Sequence, residues 1–175
     1  MDSSMQGMTQ GADAIELLKH DHKKVQMLFN DYESMRNGGQ SDGTRKQQIV
    51  QQICQELTIH AQIEEEIFYP AMRQATDDEE LVDEAEDEHA EAKEMIAELQ
   101  SMQPDDSEYD ATVLSLAKAV MHHVQEEESE MFTEARGAMD TMSIGQQLMQ
   151  RKQQLMGQMS GGMAGGTSDP SMTQR

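Results

Sequence analysis

The sequence predicts an all-α fold: an up-down-up-down four-helix bundle made from a duplicated helical hairpin, with a flexible C-terminal tail. Three observations predict it. Apolar residues recur at helical spacing almost throughout, without strand-like alternation between the breaks. Aromatic residues make up only 3% of the chain and Trp is absent, so the core must be built from Leu, Ile, Val, Ala and Met, which suits packed helices better than sheets. The second half of the chain also echoes the first.

Asp13, with Glu16 three residues on, resembles a capping box opening a first helix to about Met35, before the breaker "NGGQSDG". A second helix is expected from about Thr44 to Ala75. "TDDE", Thr76 to Glu79, is a further capping signal and starts a third helix ending near Met102. Pro104 and "DDS" punctuate before a fourth, from about Ser107 to Ala138. "DHKKVQMLFNDYESM" (21–35) aligns with "EHAEAKEMIAELQSM" (88–102), and "HAQIEEEIFYPAMRQA" (60–75) with "HVQEEESEMFTEARGA" (123–138). One block carries acid then His and the other His-x-x-x-Glu, so the hairpin is written twice. Residues 1–11 are expected to be a disordered N-terminus and 12–138 the bundle. Residues 139–175 form a Met/Gln/Gly-rich tail, a weak helical extension to about Met159 and disordered from Ser160.

Lys and Arg total 13 against 34 Asp and Glu, a formal charge of −21. Such a surface repels nucleic acid and anionic membranes, which need cationic side chains, and favours cations. The single cysteine, Cys54, excludes an internal disulfide framework and a thiolate cage, and its place beside an apolar stripe marks a buried, inert thiol. No apolar run approaches the roughly 20 residues of a membrane span. "MDSSMQGMTQ" lacks a basic and then apolar leader, so a cytoplasmic location is the expectation.

Helical phase selects which histidines face the core. Ile15, Leu18, His22, Val25, Phe29 and Tyr32 share one face of the first helix, while His20 points to solvent. Ile53, Leu57, His60, Glu64, Ile67 and Ala71 form the second stripe. Val82, Ala85, His89, Ala92, Ile96 and Leu99 form the third. Val113, Leu116, Val120, His123, Glu127 and Met131 form the fourth, choosing His123 over His122. Counted from the turns, the four inward histidines fall in one layer, with Glu64 and Glu127 a turn away on diagonal helices.

Two carboxylates meeting four imidazoles in a core, with no inward Lys or Arg, are stabilised by a cation, because an unpaired buried carboxylate costs several kcal/mol. The donor set suits iron, manganese or zinc and disfavours calcium and magnesium. Six ligands exceed a closed zinc site, and two carboxylates able to bridge point to a dinuclear centre, with iron the expected occupant. The outward acids Glu65, Glu66, Glu126 and Glu128 read as a solvated face, with the alternative that one of them orients a ligand imidazole, and Tyr32 reads as a packing residue.

The segments "LLKHDHKKVQMLF", "HAQIEEEIFYPAM", "EHAEAKEMIAEL" and "HHVQEEESEMF" give the order His, His-x-x-x-Glu, His, His-x-x-x-Glu, which resembles the hemerythrin-like, HHE cation-binding family over residues 12–138. The resemblance implies a non-haem di-iron centre, oxo- or hydroxo-bridged. His22, His60, His89 and His123 would be terminal ligands and Glu64 and Glu127 the bridges. Zinc or manganese remain alternative occupants. The oxygen-carrying members have a second histidine four residues away on the third helix. Here the positions four from His89 are Ala85 and Lys93. One iron thus loses an imidazole, which counts against a dedicated oxygen carrier.

The expected function is a non-carrier di-iron protein binding O₂, NO or iron in stress response or sensing. The alternative is an enzyme with catalase-like peroxide disproportionation or ferroxidase activity, with a reversible oxygen store third. The expected partner is a small ligand such as O₂, NO or peroxide, with no nucleic acid and no membrane.

Overall fold

The computed structural model describes residues 12–39 and 42–161. The disorder expected of residues 1–11 and 162–175 lies outside them, whereas Ser160 and Gly161, also expected to be disordered, are helical. Among the described residues seven α-helices succeed one another: α1 (Ala14–Asn37), α2 (Gly43–Ile63), α3 (Tyr69–Ala75), α4 (Glu79–Ser101), α5 (Tyr109–Glu126), α6 (Phe132–Ala138) and α7 (Thr141–Gly161). Two π turns, Glu64–Phe68 and Glu127–Met131, join α2 to α3 and α5 to α6, making each pair one rod. The expected rods are therefore α1, α2–α3, α4 and α5–α6. The expected count of four is corrected to five long helical segments, because α7 adds another.

The caps explain where the rods begin. Asp13 accepts from the N–H of Ile15 at 2.9 Å and of Glu16 at 3.3 Å. Asp42 does the same for Thr44. The third rod opens on Asp78, which accepts from Leu81 N–H, rather than on Thr76. Thr76 instead donates its hydroxyl to the Met72 carbonyl and closes α3.

Two apolar clusters fill the interior. One contains Ile15, Leu18, Ile59, Ile63, Phe68, Met72, Val82 and Phe132, the other Val25, Ile53, Leu57, Ile96, Leu116 and Val120. In sequence, the histidine falls between the two clusters on α1, α4 and α5–α6, and beside their boundary on α2, where Leu57 belongs to one and Ile59 to the other.

The weak extension expected after residue 138 is a packed helix. Leu148 and Leu155 of α7 are buried in the first cluster with Ile15, Leu18, Ile59 and Ile63. Gly145 permits this: a Cβ there would lie 1.8 Å from the Ala12 carbonyl oxygen, so only a bare backbone fits. α7 thereby covers the outer face of the first hairpin. No described helix is long and apolar enough to cross a membrane.

Candidate metal centre

The four rods bring six buried side chains to one level. His22, His60, His89 and His123 are each at most 7% exposed, and Glu64 and Glu127 at most 2%. His22, His60, Glu64 and Glu127 form one converging group, and Glu64, His89 and His123 a second. Glu64 belongs to both: its Oε1 lies 3.1 Å from His60 Nε2 and its Oε2 3.1 Å from His89 Nε2. Glu127 Oε2 lies 3.1 Å from His22 Nε2 and 3.6 Å from His123 Nε2. The paired imidazoles face each other Nε2 to Nε2 at 3.2 Å on both sides. His20 and His122 are exposed.

Each inward imidazole is held from behind. His22 Nδ1 meets Glu128 at 2.8 Å and His89 Nδ1 meets Glu65 at 3.0 Å. His123 Nδ1 meets Glu88 at 2.7 Å and His60 Nδ1 meets Asp21 at 3.4 Å. A neutral imidazole donating Nδ1–H to a carboxylate turns its Nε2 lone pair inward, the tautomer a metal ligand needs. The duplication carries this pattern. Asp21 and Glu88 precede His22 and His89, and Glu65 and Glu128 come directly after Glu64 and Glu127. The reading of Glu65 and Glu128 as a solvated face is therefore corrected, because both orient an imidazole of the other hairpin. Glu66 instead pairs with Arg151 of α7 at 2.6 Å.

The π turns account for a residue that helical phase did not find. Past Glu64 the turn adds a residue to the repeat, with Tyr69 N–H bonding the Glu64 carbonyl. The buried positions become Phe68, Tyr69 and Met72, not the expected Ile67 and Ala71. The Tyr69 hydroxyl lies 3.2 Å from Glu64 Oε2, 3.2 Å from His89 Nε2 and 3.4 Å from Glu127 Oε1. At the aligned position in the other hairpin, Phe132 stacks on His22 at 5.8 Å. The two halves of the centre thus differ by one hydroxyl.

Burial opposes charge on Glu64, yet the His60 and His89 imidazoles outweigh it and hold its carboxyl well below the usual range. Burial likewise opposes charge on His60, but Glu64 and Asp21 raise it well above an ordinary imidazole. His123 is raised chiefly by Glu88 against its burial. Burial and the neighbouring carboxylates push Tyr69 up, so its hydroxyl keeps its proton.

A cation fits this donor set. Glu64 Oε1 and Glu127 Oε2 are buried and lack a hydrogen bond, since their neighbouring Nε2 atoms lie close but out of hydrogen-bond alignment. Two donors about 2.1 Å from one ion at right angles sit about 3 Å apart, which matches the separations on both sides.

Buried imidazoles and carboxylates converging inside a helical bundle, each imidazole backed by a carboxylate, define a metal-binding helical protein. Residues 13–135 match the family described as the hemerythrin HHE cation binding domain, and the chain belongs to that family. A hemerythrin HHE cation binding domain-containing protein from Mycobacterium kansasii shares the fold, with a TM-score of 0.74 and 21% identity over 88% of this chain and 93% of that one. A Nostoc protein named DNA nickase is 33% identical over 137 residues, 74% of this chain. The chain spans 36% of that relative's length.

Proposed function

We propose that the centre holds two iron ions and binds O₂, NO or iron itself, in a stress-response or sensing role. The observation that carries this reading is Glu64, whose two oxygens each face a different imidazole pair. With one oxygen turned to each pair, Glu64 would hold one ion beside His60 and another beside His89. Iron, when bound, supplies affinity for small diatomic ligands and one-electron chemistry.

The chain's own residues set the enclosure. A cavity of about 40 Å³ is lined by the four imidazoles with Val25, Leu57, Ile96 and Val120. That space suits a diatomic or peroxide-sized ligand. Ala85 and Lys93 leave the His89 side one imidazole short, which favours ligand binding beyond reversible oxygen carriage.

A second reading, peroxide disproportionation or ferrous oxidation, draws on Tyr69, a hydroxyl able to give or take a proton in this enclosure. The nicking activity in the Nostoc relative's name is not carried over, because a formal charge of −21 opposes a phosphate backbone.

Metal analysis of the purified chain, with visible spectra under air, under peroxide and after reduction, tests the proposal. Two irons per chain with slow autoxidation and tight NO binding are expected. Steady O₂ release from peroxide would select the enzyme, and a spectrum reversing under vacuum the store. One metal or none per chain would overturn the di-iron assignment.

A further inference from the structure

Among the described residues, the large apolar side chains left exposed are all methionines, and all lie on α1 or α7: Met27, Met142, Met149, Met156 and Met159. Met142, Met149 and Met156 follow one another at seven-residue intervals, so they line one side of α7 with a drift of only about 20° per repeat. They stand beside the Leu148 and Leu155 stripe that seats α7 on the bundle, not on it. Packing within the chain therefore leaves this row 36–45% exposed.

Charge is segregated in the same way. Residues 79–138 hold 19 Asp and Glu against 3 Lys and Arg, whereas residues 14–75 and 141–161 together hold 9 of each. α7 contains no acid, and its two cations, Arg151 and Lys152, are paired to Glu66 and Asp21. Every exposed residue of α7 is Met, Gln, Ser or Gly. Between α1 and α7 runs a groove of about 400 Å³, with Leu17 and His20 on one wall and Met149, Gln153 and Met156 on the other. Protruding methionines and a hollow able to receive them thus share one face.

We propose that this face binds the same face of a second copy, making a two-fold symmetric dimer through α7 and the adjoining side of α1. A symmetric contact needs a surface complementary to itself, and a row of methionines beside a groove supplies it. Charge selects the same occupant. A formal charge of −21 opposes self-association, and joining the charge-balanced faces keeps the acid-rich second hairpins far apart. Seven-residue spacing is the repeat by which two helices stay in contact along their length. The 21 residues of α7 rise about 31 Å, and with α1 beside it, at about 10 Å per helix, the face offers on the order of 600 Å² per copy. Two such faces reach the lower bound of a stable interface. Unbranched methionine side chains adapt to each other across such a contact. The dimer does not depend on what the buried centre holds.

Sedimentation equilibrium of the full chain, from micromolar to submillimolar protein and at two salt concentrations, tests the proposal. Wild type should pass from one chain mass to two and no further. Salt should favour the dimer, because it screens the repulsion left between the acidic hairpins. Met149→Glu with Met156→Glu should weaken association about a hundredfold, since symmetry sets each new charge near its like. Gln146→Glu with Gln153→Glu, at exposed positions, should weaken it in the same direction with unchanged helical circular dichroism, and judges the interface even if the methionine variant loosens α7. A wild type that stays monomeric throughout would overturn the proposal. So would a dimer that both variants retain, species larger than two chains, or association that salt weakens, since the last two mark an acidic face docking on a basic one.

Discussion

Lys152 of α7 forms an ion pair with Asp21, whose other carboxylate oxygen faces His60 Nδ1 at 3.4 Å. A helix outside the duplicated bundle therefore reaches a buried imidazole of the candidate centre through one intervening carboxylate. Burial opposes charge on Asp21, but His60 and Lys152 together hold its carboxyl below the usual range. Replacing Lys152 by Met keeps the aliphatic stem and strands a buried anion. The expected loss is about 1–3 kcal/mol in urea unfolding, with part of it recovered when Asp21→Asn is added. A loss equal to that of an exposed lysine such as Lys118 would disconnect α7 from the site.

Glu65 and Glu66 are chain neighbours with different tasks. Glu65 holds His89 Nδ1, whereas Glu66 holds Arg151. Removing a carboxylate behind a ligating imidazole typically weakens metal affinity about 10–100-fold. Chelator competition should show that loss for Glu65→Gln and none for Glu66→Gln. Equal effects would return Glu65 to the solvated face assigned from sequence.

The inward positions of His22, His60, His89 and His123 were legible because an α-helix keeps one phase from turn to turn, and each histidine lies in an unbroken stripe. Past Glu64 that phase fails, since the π turn rotates the next stretch of helix and brings Tyr69 inward. The signal present in the sequence was the alignment of Phe68 and Tyr69 with Met131 and Phe132, aromatic and apolar side chains shortly after a run of acids. The outer carboxylates were also written in the repeat, as an acid before His22 and His89 and after Glu64 and Glu127. Choosing which of many acids turn inward needed the bundle. The packing of α7, as opposed to its helicity, was hidden because few branched apolar residues, chiefly Leu148 and Leu155, anchor it, and a glycine makes a close approach.

That glycine permits a paired test. A Cβ at Gly145 would collide with the Ala12 carbonyl, whereas one at Gly157 would meet nothing within 4 Å. Gly145→Ala should destabilise α7 docking by about 1–3 kcal/mol, seen as faster limited proteolysis within 141–161. Gly157→Ala should stabilise the helix by roughly 0.5–1 kcal/mol. Similar proteolysis of both variants would show that α7 is not seated through Gly145.

Docking of α7 should also depend on acidity. Arg151 donates to Glu66 and holds its carboxyl down from 4.5 to about 2, helped by Gln62. A carboxyl that titrates lower when folded contributes fully above its unfolded value and loses that contribution as pH falls through the folded one. The contact should therefore hold at neutral pH and fade between about 4.5 and about 2. Proteolysis of α7 with an acid-active protease tracks it, and Glu66→Gln should flatten the dependence across that window.

Tyr69 and Phe132 occupy aligned positions, one presenting a hydroxyl to His89, the other a phenyl face to His22. If the hydroxyl helps to hold a cation, the two halves of the centre must differ in affinity, and the difference must depend on the oxygen. Tyr69→Phe removes one oxygen, keeps the ring that packs beside Phe68, and should leave the helical circular dichroism unchanged. Stepwise chelation should then release metal from the His89 and His123 side at lower chelator concentration than in wild type. A phenol oxygen holding a cation would do so by giving its proton up to solvent, so any benefit from Tyr69 would grow with pH. Wild-type retention should accordingly rise with pH more steeply than that of the variant, because only wild type has that proton to release. Identical chelation curves at every pH would reduce Tyr69 to a packing residue and leave the asymmetry to Ala85 and Lys93.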